Sequence, residues 1–491
     1  MPPLPGELPP DEVRALLRRA AEMAADYLER VESYPVLPPV APGEIAARLP
    51  AAAPEEPEPV ERILADVEGL IEPGLTHWNH PGFLAWFAIT GSAPGIAAET
   101  LAAAFNVNAM LWRSSPAATE LEERVCDWVR RLLDLPDGFR GHINDTASSS
   151  TLVALAAARH ELRGLPGADV RRRGMAGRSD LPPLVVYASD QAHSSVDKAA
   201  IVLGVGQENV RRVASDREYR MDVGALAAAV AADRAAGRLP MAVVATAGTT
   251  STTSVDPLPQ IADLCRREDV WLHVDAAYAG SAGLCPELRR GPLAGLELGD
   301  SLVVNPHKWL FTPVDCSLLY VRRPELLRAA FSLVPDYLVT EEAEVTNLMD
   351  TGFQLGRRFR ALKLWMVIRT YGAEGLRRRI REHCRLARRL ADRLAADPAF
   401  EIVAPVPFST VCFRTVHGDE ADRRLLAAVN ADGRFFLSHT VLGGRFTLRA
   451  AIGNLRTEER HVDALAELLA ARAADAGGTA GAAGAAGPGS R

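Results

Sequence analysis

Apolar runs and helical patterns alternate through the middle of the chain. Five short runs rich in valine and leucine predict strands, at 184–188, 241–248, 270–277, 301–306 and 316–321. Between them, residues 150–163 and 258–268 place apolar side chains at helical spacing. Continuous apolar strands separated by helices are typical of a mostly parallel sheet covered on both faces. The pattern therefore predicts an α/β fold.

The two ends of the chain have other patterns. Residues 11–32 predict an amphipathic helix, and a connection rich in proline, alanine and glutamate follows at 35–59. Beyond Tyr371, helices and strands alternate as expected for a smaller C-terminal lobe. We divide the chain into an N-terminal helical and extended segment at 1–90, a large α/β domain at 91–370, a small domain at 371–472 and an Ala/Gly-rich tail without fixed structure at 473–491.

Composition excludes several classes of protein. The chain has 491 residues and a formal net charge of −7, with no basic block, so nucleic acid is not an expected partner. Its six cysteines are scattered without a CxxC pair, which favours reduced thiols over a disulfide framework or a metal site. We see neither a signal-peptide pattern nor the ~18 consecutive apolar residues of a membrane helix. We expect a cytoplasmic protein with no membrane partner.

Lysine is scarce in this sequence. Lysine and arginine together number 55, yet only Lys198, Lys308 and Lys363 are lysines. A guanidinium stays protonated, whereas a desolvated lysine amine can lose its proton and form a Schiff base. Lys308 follows an apolar run within NPHKW, so we place it on a turn at a strand end, although a lysine there is usually a surface residue. Lys198 and Lys363 lie in helical patterns, where we expect solubilising or partner charges.

Asp275 lies near the end of the apolar run 270–277, where a carboxylate needs a cationic or hydrogen-bonding partner. A helix cap or loop contact is one explanation. A pyridoxal cofactor is another, because its ring nitrogen must stay protonated to act as an electron sink. Opposite unit charges ~4 Å apart attract by about 4 kcal/mol at an effective dielectric constant near 20, which would hold that proton at neutral pH.

Two further segments fall at the same predicted edge of the sheet. His193 follows the strand at 184–188 and could stack on a planar pyridine ring or meet a substrate carboxylate, although a lone histidine is more often structural. The segment 145–159 (DTASSSTLVALAAAR) places small hydroxyl side chains just before a helix. That arrangement caps a helix, and its free N–H groups also make a phosphate site. In open α/β sheets, ligands bind beyond the carboxyl ends of the strands.

The segment at 145–159, His193, Asp275 and Lys308 follow one another along the chain in that order. Together they resemble the pyridoxal-dependent group II amino-acid decarboxylases and, within them, the aromatic L-amino-acid decarboxylases. The resemblance runs from about Leu75 to about Ile452. Its most specific segments are THW (76–78), SSPAATELE (114–122), SDQAHSSVDKA (189–199), HVDAAYAGSAG (273–283), NPHKW (305–309), DCS (315–317) and LGRRFRALKLW (355–365). The resemblance implies fold type I, that of aspartate aminotransferase-like PLP-dependent transferases, with a mostly parallel central sheet and a smaller C-terminal α+β domain.

The resemblance also implies pyridoxal 5'-phosphate as the cofactor and a role for each candidate residue. Lys308 would bind the cofactor covalently, and Asp275 would pair with its ring nitrogen. His193 would stack on one face of the ring and Ala277 would pack against the other. The other implied contacts, at the phosphate and beside the ring, are Ala147, Ser148, Thr246, Asn305 and His307.

Tyr337, in VPDYL, matches the mobile-loop tyrosine that returns a proton to the substrate after carbon dioxide leaves. Related aldehyde synthases carry phenylalanine at that position. Tyrosine here, together with His193, therefore favours decarboxylation to the amine. Oxidative deamination to an aromatic acetaldehyde, or transamination, on the same cofactor is the nearest alternative.

The substrate pocket is less specific. The positions where the family lines its substrate site are occupied here by Trp78, Trp86, Phe87, Ile89, Met110 and Gly356. This apolar lining argues against glutamate and favours tryptophan, tyrosine, phenylalanine or dopa, with a branched aliphatic amino acid as the alternative. The chain departs from the family at Ile89, where animal members have a substrate-contacting threonine, and at 140–150, where a glycine-rich run is missing.

Family members are intertwined homodimers with shared active sites, so we expect a homodimer that the helix at 11–32 helps to hold. Two other function classes are weaker. A nicotinamide-dependent enzyme needs a third glycine where LGVGQEN (203–209) has Asn209. A non-catalytic binding protein would not need Lys308, Asp275 and His193 together.

Overall fold

Two β-sheets organise the chain. A computed structural model describes residues 8–163, 165, 167–333 and 345–482. A seven-stranded sheet is formed between residues 140 and 321, and a four-stranded sheet between residues 400 and 451. This arrangement confirms the predicted fold, a mostly parallel central sheet with a smaller C-terminal domain. The predicted domain limits at residues 90, 370 and 472 stay predictions.

The large sheet is parallel except at one edge. Its strands are β1 (Arg140–Asn144), β2 (Leu184–Ser189), β3 (Val210–Val213), β4 (Leu239–Thr246), β5 (Trp271–Asp275), β6 (Ser301–Val304) and β7 (Ser317–Val321). Their order across the sheet is β1-β7-β6-β5-β4-β2-β3, and β7 is antiparallel to both of its neighbours. Strands β2, β4, β5 and β6 are buried along their whole length because helices pack on both faces, which explains their continuous apolar runs.

The small sheet is antiparallel throughout and holds part of the N-terminal segment. Its strands are β8 (Phe400–Ile402), β9 (Thr410–Thr415), β10 (Ser438–Leu442) and β11 (Arg445–Ala451), in the order β10-β11-β9-β8. Leu84 donates its N–H to the Phe436 carbonyl at 3.0 Å and accepts the N–H of Ala451 at 2.8 Å. These bonds hold the residues just before Phe87 against the small sheet.

Helices surround both sheets. They are α1 (Pro10–Arg30), α2 (Glu44–Arg48), α3 (Val60–Asp66), α4 (Ala93–Phe105), α5 (Pro116–Leu132), α6 (Ala147–Glu161), α7 (Val170–Arg173), α8 (Ser195–Val202), α9 (Val223–Ala235), α10 (Leu258–Arg267), α11 (Pro286–Arg290), α12 (Pro306–Trp309), α13 (Glu325–Phe331), α14 (Ala361–Ala395), α15 (Asp419–Ala431) and α16 (Glu459–Ala482). The long helix α14 connects the two sheets and bends at Gly372, whose φ of 65° other residues rarely adopt.

Both ends of the chain are helical. The predicted N-terminal helix is present as α1, and it has no buried residue. Helix α16 continues to Ala482, into the range 473–491 that we expected to lack fixed structure. Alanine has the highest intrinsic helix propensity, so an Ala-rich segment can extend an existing helix. No helix of the described residues is long and apolar enough to cross a bilayer.

Candidate active site

Three strands of the large sheet end at one place, and polar side chains gather there. β4 ends at Thr246 and β5 ends at Asp275, and these two residues are register neighbours in adjacent strands. β6 is followed by Asn305, whose N–H donates to the Ala277 carbonyl at 3.0 Å. The side chains of Thr246, Asp275 and Asn305 are buried. The carboxyl edge of the sheet therefore brings together these predicted cofactor residues.

Lys308 lies in the short helix α12, directly after β6. Its N–H donates to the Asn305 carbonyl at 3.0 Å, and its amine lies 5.3 Å from the centre of the Phe87 ring. Loss of hydration in this part-buried position lowers the pKa of Lys308, while the Asp275 carboxylate opposes the shift and the Arg449 guanidinium adds to it. A lowered pKa increases the neutral fraction of the amine, which is the form that attacks a carbonyl group.

His193 and Asp275 lie close enough to Lys308 for their charges to interact. His193 lies in the loop between β2 and α8, and its Nδ1 accepts the Ser195 N–H at 3.1 Å, so in the neutral ring the proton is on Nε2. Loss of hydration lowers the pKa of His193, Asp275 raises it and Lys308 lowers it. The Asp275 carboxylate itself accepts the Ala277 N–H at 3.1 Å. Asp275, His193 and Lys308 thus lie within electrostatic reach of one another.

The predicted phosphate residues begin helix α6. Ala147 is half-buried and Ser148 is exposed, both in the first turn. Thr146 precedes them and makes no capping bond with its side chain. The first N–H groups of the helix have no intrahelical partner, and together with the helix dipole they attract an anion.

A chain of hydrogen bonds joins α6 to the Lys308 turn. The hydroxyls of Ser150 and Ser317 lie 2.8 Å apart, which links α6 to the start of β7. The preceding residue, Cys316, donates its N–H to Nδ1 of His307 at 2.9 Å. Burial lowers the pKa of His307 to about 3, so its ring is neutral at ordinary pH. His307 therefore fixes the turn that carries Lys308.

Unpaired polar atoms mark this place as a ligand site. Thr246 Oγ1 and Asn305 Oδ1 are buried and have no hydrogen-bond partner among the described residues. Such atoms are costly unless a ligand or water satisfies them. With the acid at Asp275, the amine at Lys308 and the start of α6, they fit pyridoxal phosphate, which has polar ring substituents, an aldehyde and an anionic group. The described residues contain no cluster of three metal-binding side chains.

Arg449 on β11 is a site residue that sequence reasoning missed. Its Nε donates to the Ser251 carbonyl at 2.8 Å, and its Nη1 donates to the Trp86 carbonyl. Its guanidinium carbon lies 4.6 Å from the centre of the Phe87 ring, and its Nη2 is buried without a partner in the described part of the chain. The detectable signal is an arginine inside the otherwise apolar strand pattern FTLRAA (446–451).

The predicted substrate residues divide into separate groups. Phe87 lies at the Lys308 amine, whereas Trp78 and Trp86 pack together with ring centres 5.5 Å apart. Phe83 lies 4.2 Å from Trp78, and Phe436 lies 5.2 Å from Trp86. The ring of Trp86 therefore packs in this aromatic cluster, although Trp86 is adjacent to Phe87 in sequence. Its backbone has a φ of 45°, and the residue is 52% exposed.

Met110 and Gly356 form a third group. Met110 packs with Leu111 and Met349, in a cluster distinct from the core that contains Phe87. A Cβ at Gly356 would lie 3.9 Å from the amide nitrogen of Asn108, which in turn lies 3.3 Å from the sulfur of Met110. The structure thus places Met110 and Gly356 near each other.

Two further predictions complete the set. Ile89 is half-buried, two residues after Phe87. Tyr337 lies outside the described residues, so its predicted role stays a prediction.

Of the two roles expected for Lys363, the structure favours a charge with an ion-pair partner over a solubilising charge. Lys198 is exposed on α8, as expected for a solubilising charge, but Lys363 is only 1% exposed. It lies in the first turns of α14, where it forms an ion pair with Glu99 of α4 and lies 4.0 Å from Asp315. Packing of α14 on α4 buries this position, and the two carboxylates compensate the charge.

The sequence of the chain matches a known family model. The pyridoxal-dependent decarboxylase conserved domain covers residues 42–416. Tryptophan decarboxylase 2 of Oryza sativa subsp. japonica is 42% identical over 94% of this chain and 95% of its own length. Phenylacetaldehyde synthase of Arabidopsis thaliana is 41% identical over 94% of this chain and 96% of its own.

A solved structure has the same fold. The crystal structure of Oryza sativa TDC with PLP and tryptamine superposes with a TM-score of 0.91. It is 40% identical in sequence, and the match covers 96% of this chain and 99% of that chain.

Proposed function

Because the chain belongs to the pyridoxal-dependent decarboxylase family, we propose that it converts an aromatic L-amino acid into the corresponding amine and carbon dioxide. The enzyme class and the cofactor, pyridoxal phosphate, follow from the family. One observation carries the assignment of the site: the Lys308 amine lies beside an aromatic ring, with a lowered pKa, at the edge of the sheet where Asp275 is buried.

The residues that would hold the cofactor come from five parts of the large domain. Lys308 would bind it covalently, and Asp275 would keep its ring nitrogen protonated. His193 and Ala277 would enclose the ring. The phosphate and the remaining polar groups would be met by Ala147, Ser148, Thr246, Asn305 and His307. The unpaired oxygens of Thr246 and Asn305 support this assignment.

Bound pyridoxal phosphate supplies an electron sink for the electron pair that departing carbon dioxide leaves on Cα. The protein orients the substrate and controls protons. The neutral amine of Lys308 is the nucleophile, and the Asp275 carboxylate provides the fixed negative charge of the site. The Nε2–H of His193 is available to donate to the substrate carboxylate. Tyr337 would return a proton to Cα.

The aromatic character of the substrate rests on Phe87 and on the relatives. Phe87 is buried beside the Lys308 amine, and it presents an apolar ring where a substrate side chain would extend. The rice structure contains tryptamine, the amine of an aromatic amino acid, and the relatives at 41–42% identity include a tryptophan decarboxylase and a phenylacetaldehyde synthase. An aliphatic or acidic substrate has no comparable support.

The decisive test is a product assay with purified holoenzyme and each common amino acid. We expect amine and carbon dioxide in equal amounts from one or more of tryptophan, tyrosine, phenylalanine and dopa. The alternative, an aromatic acetaldehyde synthase, would release hydrogen peroxide and ammonia instead of the amine. Turnover of glutamate alone, or of no amino acid, would contradict the proposal.

We also propose a homodimer with shared active sites. Helix α1 is amphipathic with no buried residue, and Leu17, Leu101 and Phe105 are each more than two-fifths exposed. The apolar face of an amphipathic helix is normally buried against another element, and α1 buries no residue against the described part of this chain. Met110 and Gly356 lie in a group separate from Phe87, which is expected if they serve the partner's site. Light scattering should give twice the chain mass; the mass of a single chain would contradict the proposal.

A cytoplasmic location is proposed from the cysteines. All six are free and buried, as is usual in a reducing compartment.

A further inference from the structure

A row of stacked rings runs from Phe87 into the protein core. The rings of Phe87 and Tyr278 are 3.8 Å apart and nearly parallel, and those of Tyr278 and Trp309 are 4.8 Å apart with an interplanar angle of 4°. His383 follows, with its ring centre 6.3 Å from that of Trp309 and almost the same orientation. Trp309 is the residue after Lys308, so the row connects the substrate-side ring to the lysine turn.

His383 ends the row with two hydrogen bonds. Its Nδ1 accepts the indole N–H of Trp309 at 2.9 Å, and its Nε2 donates to the Asn454 carbonyl at 3.0 Å. Burial lowers the pKa of His383 to about 3, so the ring is neutral and carries a single proton. Because the indole can only donate, that proton is on Nε2. Both ring nitrogens are therefore used, and the orientation of the ring is fixed.

Asn454 links His383 to the chain segment just before Phe87. Its side-chain amide donates to the Trp78 carbonyl at 3.1 Å and to the His80 carbonyl at 3.0 Å. Asn454 and His383 are both fully buried. The contacts form a closed circuit: from Phe87 through the stacked rings to His383, on to Asn454, and back along the chain from residue 78 to Phe87.

We propose that His383 and Asn454 are positioning residues of the decarboxylation, which they affect by holding Phe87 and the Lys308 turn at a fixed separation. The proposal rests on the proposed function. Neither residue is assigned contact with substrate or cofactor. They act through Trp309 at one end of the circuit and through the backbone at residues 78 and 80 at the other. Small displacements of a reacting group, of about 1 Å, can lower a rate by as much as about 10²-fold.

Ordinary core packing is the competing explanation, and three variants separate the two. His383→Phe keeps the ring and its stacking but removes both polar atoms. His383→Gln keeps one acceptor and one donor. Tyr320→Phe is the matched control, because it removes a buried hydrogen bond to the Cys126 carbonyl, 2.8 Å long, and Tyr320 has no role in the site or in the circuit.

Two readouts are needed for each variant. Decarboxylation of the best aromatic substrate gives kcat and KM. Hydrogen–deuterium exchange of the peptide covering residues 76–90 reports on the circuit without using activity. Thermal unfolding of the holoenzyme is measured alongside, so that variants with similar loss of stability are compared.

We expect His383→Phe to lower kcat/KM by about tenfold, because it leaves a buried donor and a buried acceptor unpaired. Exchange at 76–90 should become faster, although residue 383 is far from that segment in sequence. His383→Gln should restore most of both properties. Tyr320→Phe should lower thermal stability while leaving kcat/KM and exchange at 76–90 unchanged.

The proposal is overturned if His383→Phe and Tyr320→Phe behave alike at 76–90 and in kcat/KM. If His383→Phe does not fold, Asn454→Asp provides the second test, because it turns the donating amide into an acceptor that faces two carbonyls; unchanged exchange and kinetics there would overturn the proposal. Wild-type protein that decarboxylates no aromatic amino acid would remove the proposed function, whereas the exchange result would still decide the coupling.

Discussion

Lys308 and Lys363 are both withdrawn from solvent, but their surroundings differ. Lys363 forms an ion pair with Glu99, and Asp315 lies 4.0 Å from its amine. Lys308 has no ion pair among the described residues; its near neighbours are the Phe87 ring and, within electrostatic reach, Asp275 and Arg449. Loss of hydration therefore lowers the pKa of Lys308, and Asp275 only partly opposes the shift.

Under the proposed function, the comparison explains why Lys308 rather than Lys363 would be the reactive lysine. A carboxylate beside a buried ammonium ion compensates the loss of hydration through the ion pair. A lysine beside an apolar ring and a guanidinium gives up its proton more readily and becomes a nucleophile. Withdrawal from water is common to both, so the difference lies in the contact partners.

The largest expected effect is that of Lys308→Ala. Turnover should fall by about 10⁴-fold or more, as when the nucleophile of a covalent catalyst is removed. The visible absorbance of the bound cofactor should be lost as well. Lys198→Ala, at an exposed lysine of α8, is the control and should keep both. An active Lys308→Ala enzyme would contradict the proposal that Lys308 is the reactive lysine.

Asp275→Asn should have the next largest effect. In the wild-type protein, the Asp275 carboxylate raises the pKa of both Lys308 and His193. Its removal should therefore lower both pKa values further. The substitution also removes the partner proposed for the ring nitrogen, and turnover should drop by about 10²-fold. Kinetics and the pH titration of His193 by NMR check these two statements. A variant with wild-type turnover would show that the charge at Asp275 is not needed.

Lys363→Met should affect stability rather than chemistry. Removing one member of a buried ion pair leaves its carboxylates with less compensation, here at a cost of about 2 kcal/mol in the free energy of unfolding, less than for an isolated pair. The cost is reduced because Glu99 keeps Arg358 and Asp315 keeps Arg360 as partners. Urea unfolding measures it, and turnover per folded molecule should stay unchanged.

The double variant Lys363→Met/Glu99→Gln is the matched control for that measurement. It should recover part of the lost stability because one of the two carboxylates that lost a partner is now neutral. Loss of cofactor binding in the single variant, with the fold intact, would contradict the structural role given to Lys363.

Arg449→Met should have the smallest effect, a change in the pKa of Lys308. The guanidinium lowers the pKa of Lys308, so its removal should raise that pKa. The pH at which the amine of the cofactor-free enzyme begins to react with pyridoxal phosphate should then move upward. Arg449→Lys keeps the positive charge and should shift less. A midpoint that moves downward would contradict the electrostatic part of the comparison.

The sequence predicted the buried strands of the large sheet and missed its edges. Strands β2, β4, β5, β6 and β7 are continuous apolar runs because both of their faces are covered. Strands β1 (RGHIN) and β3 (VRRV) form the two edges of the sheet and contain charged residues, so their pattern is not distinctive.

The sequence predicted those site residues whose type is unusual at the end of a buried strand. Lys308, Asp275 and His193 fall at strand ends in a chain with few lysines, and the structure brings them within electrostatic reach. Arg449 was missed, and the burial of Lys363 was not predicted, because both depend on which helix or strand packs against them. Sequence spacing does not reveal that α4 supplies Glu99 to Lys363, nor that β11 directs Arg449 toward Phe87.

The most direct test of the distinction between the lysines is borohydride reduction of the holoenzyme followed by peptide mapping. Reduction makes the bond between cofactor and amine permanent, so the labelled peptide identifies the reactive lysine. We predict a single labelled peptide that contains Lys308. Label on Lys363 or Lys198, or no label on any peptide, would contradict the account.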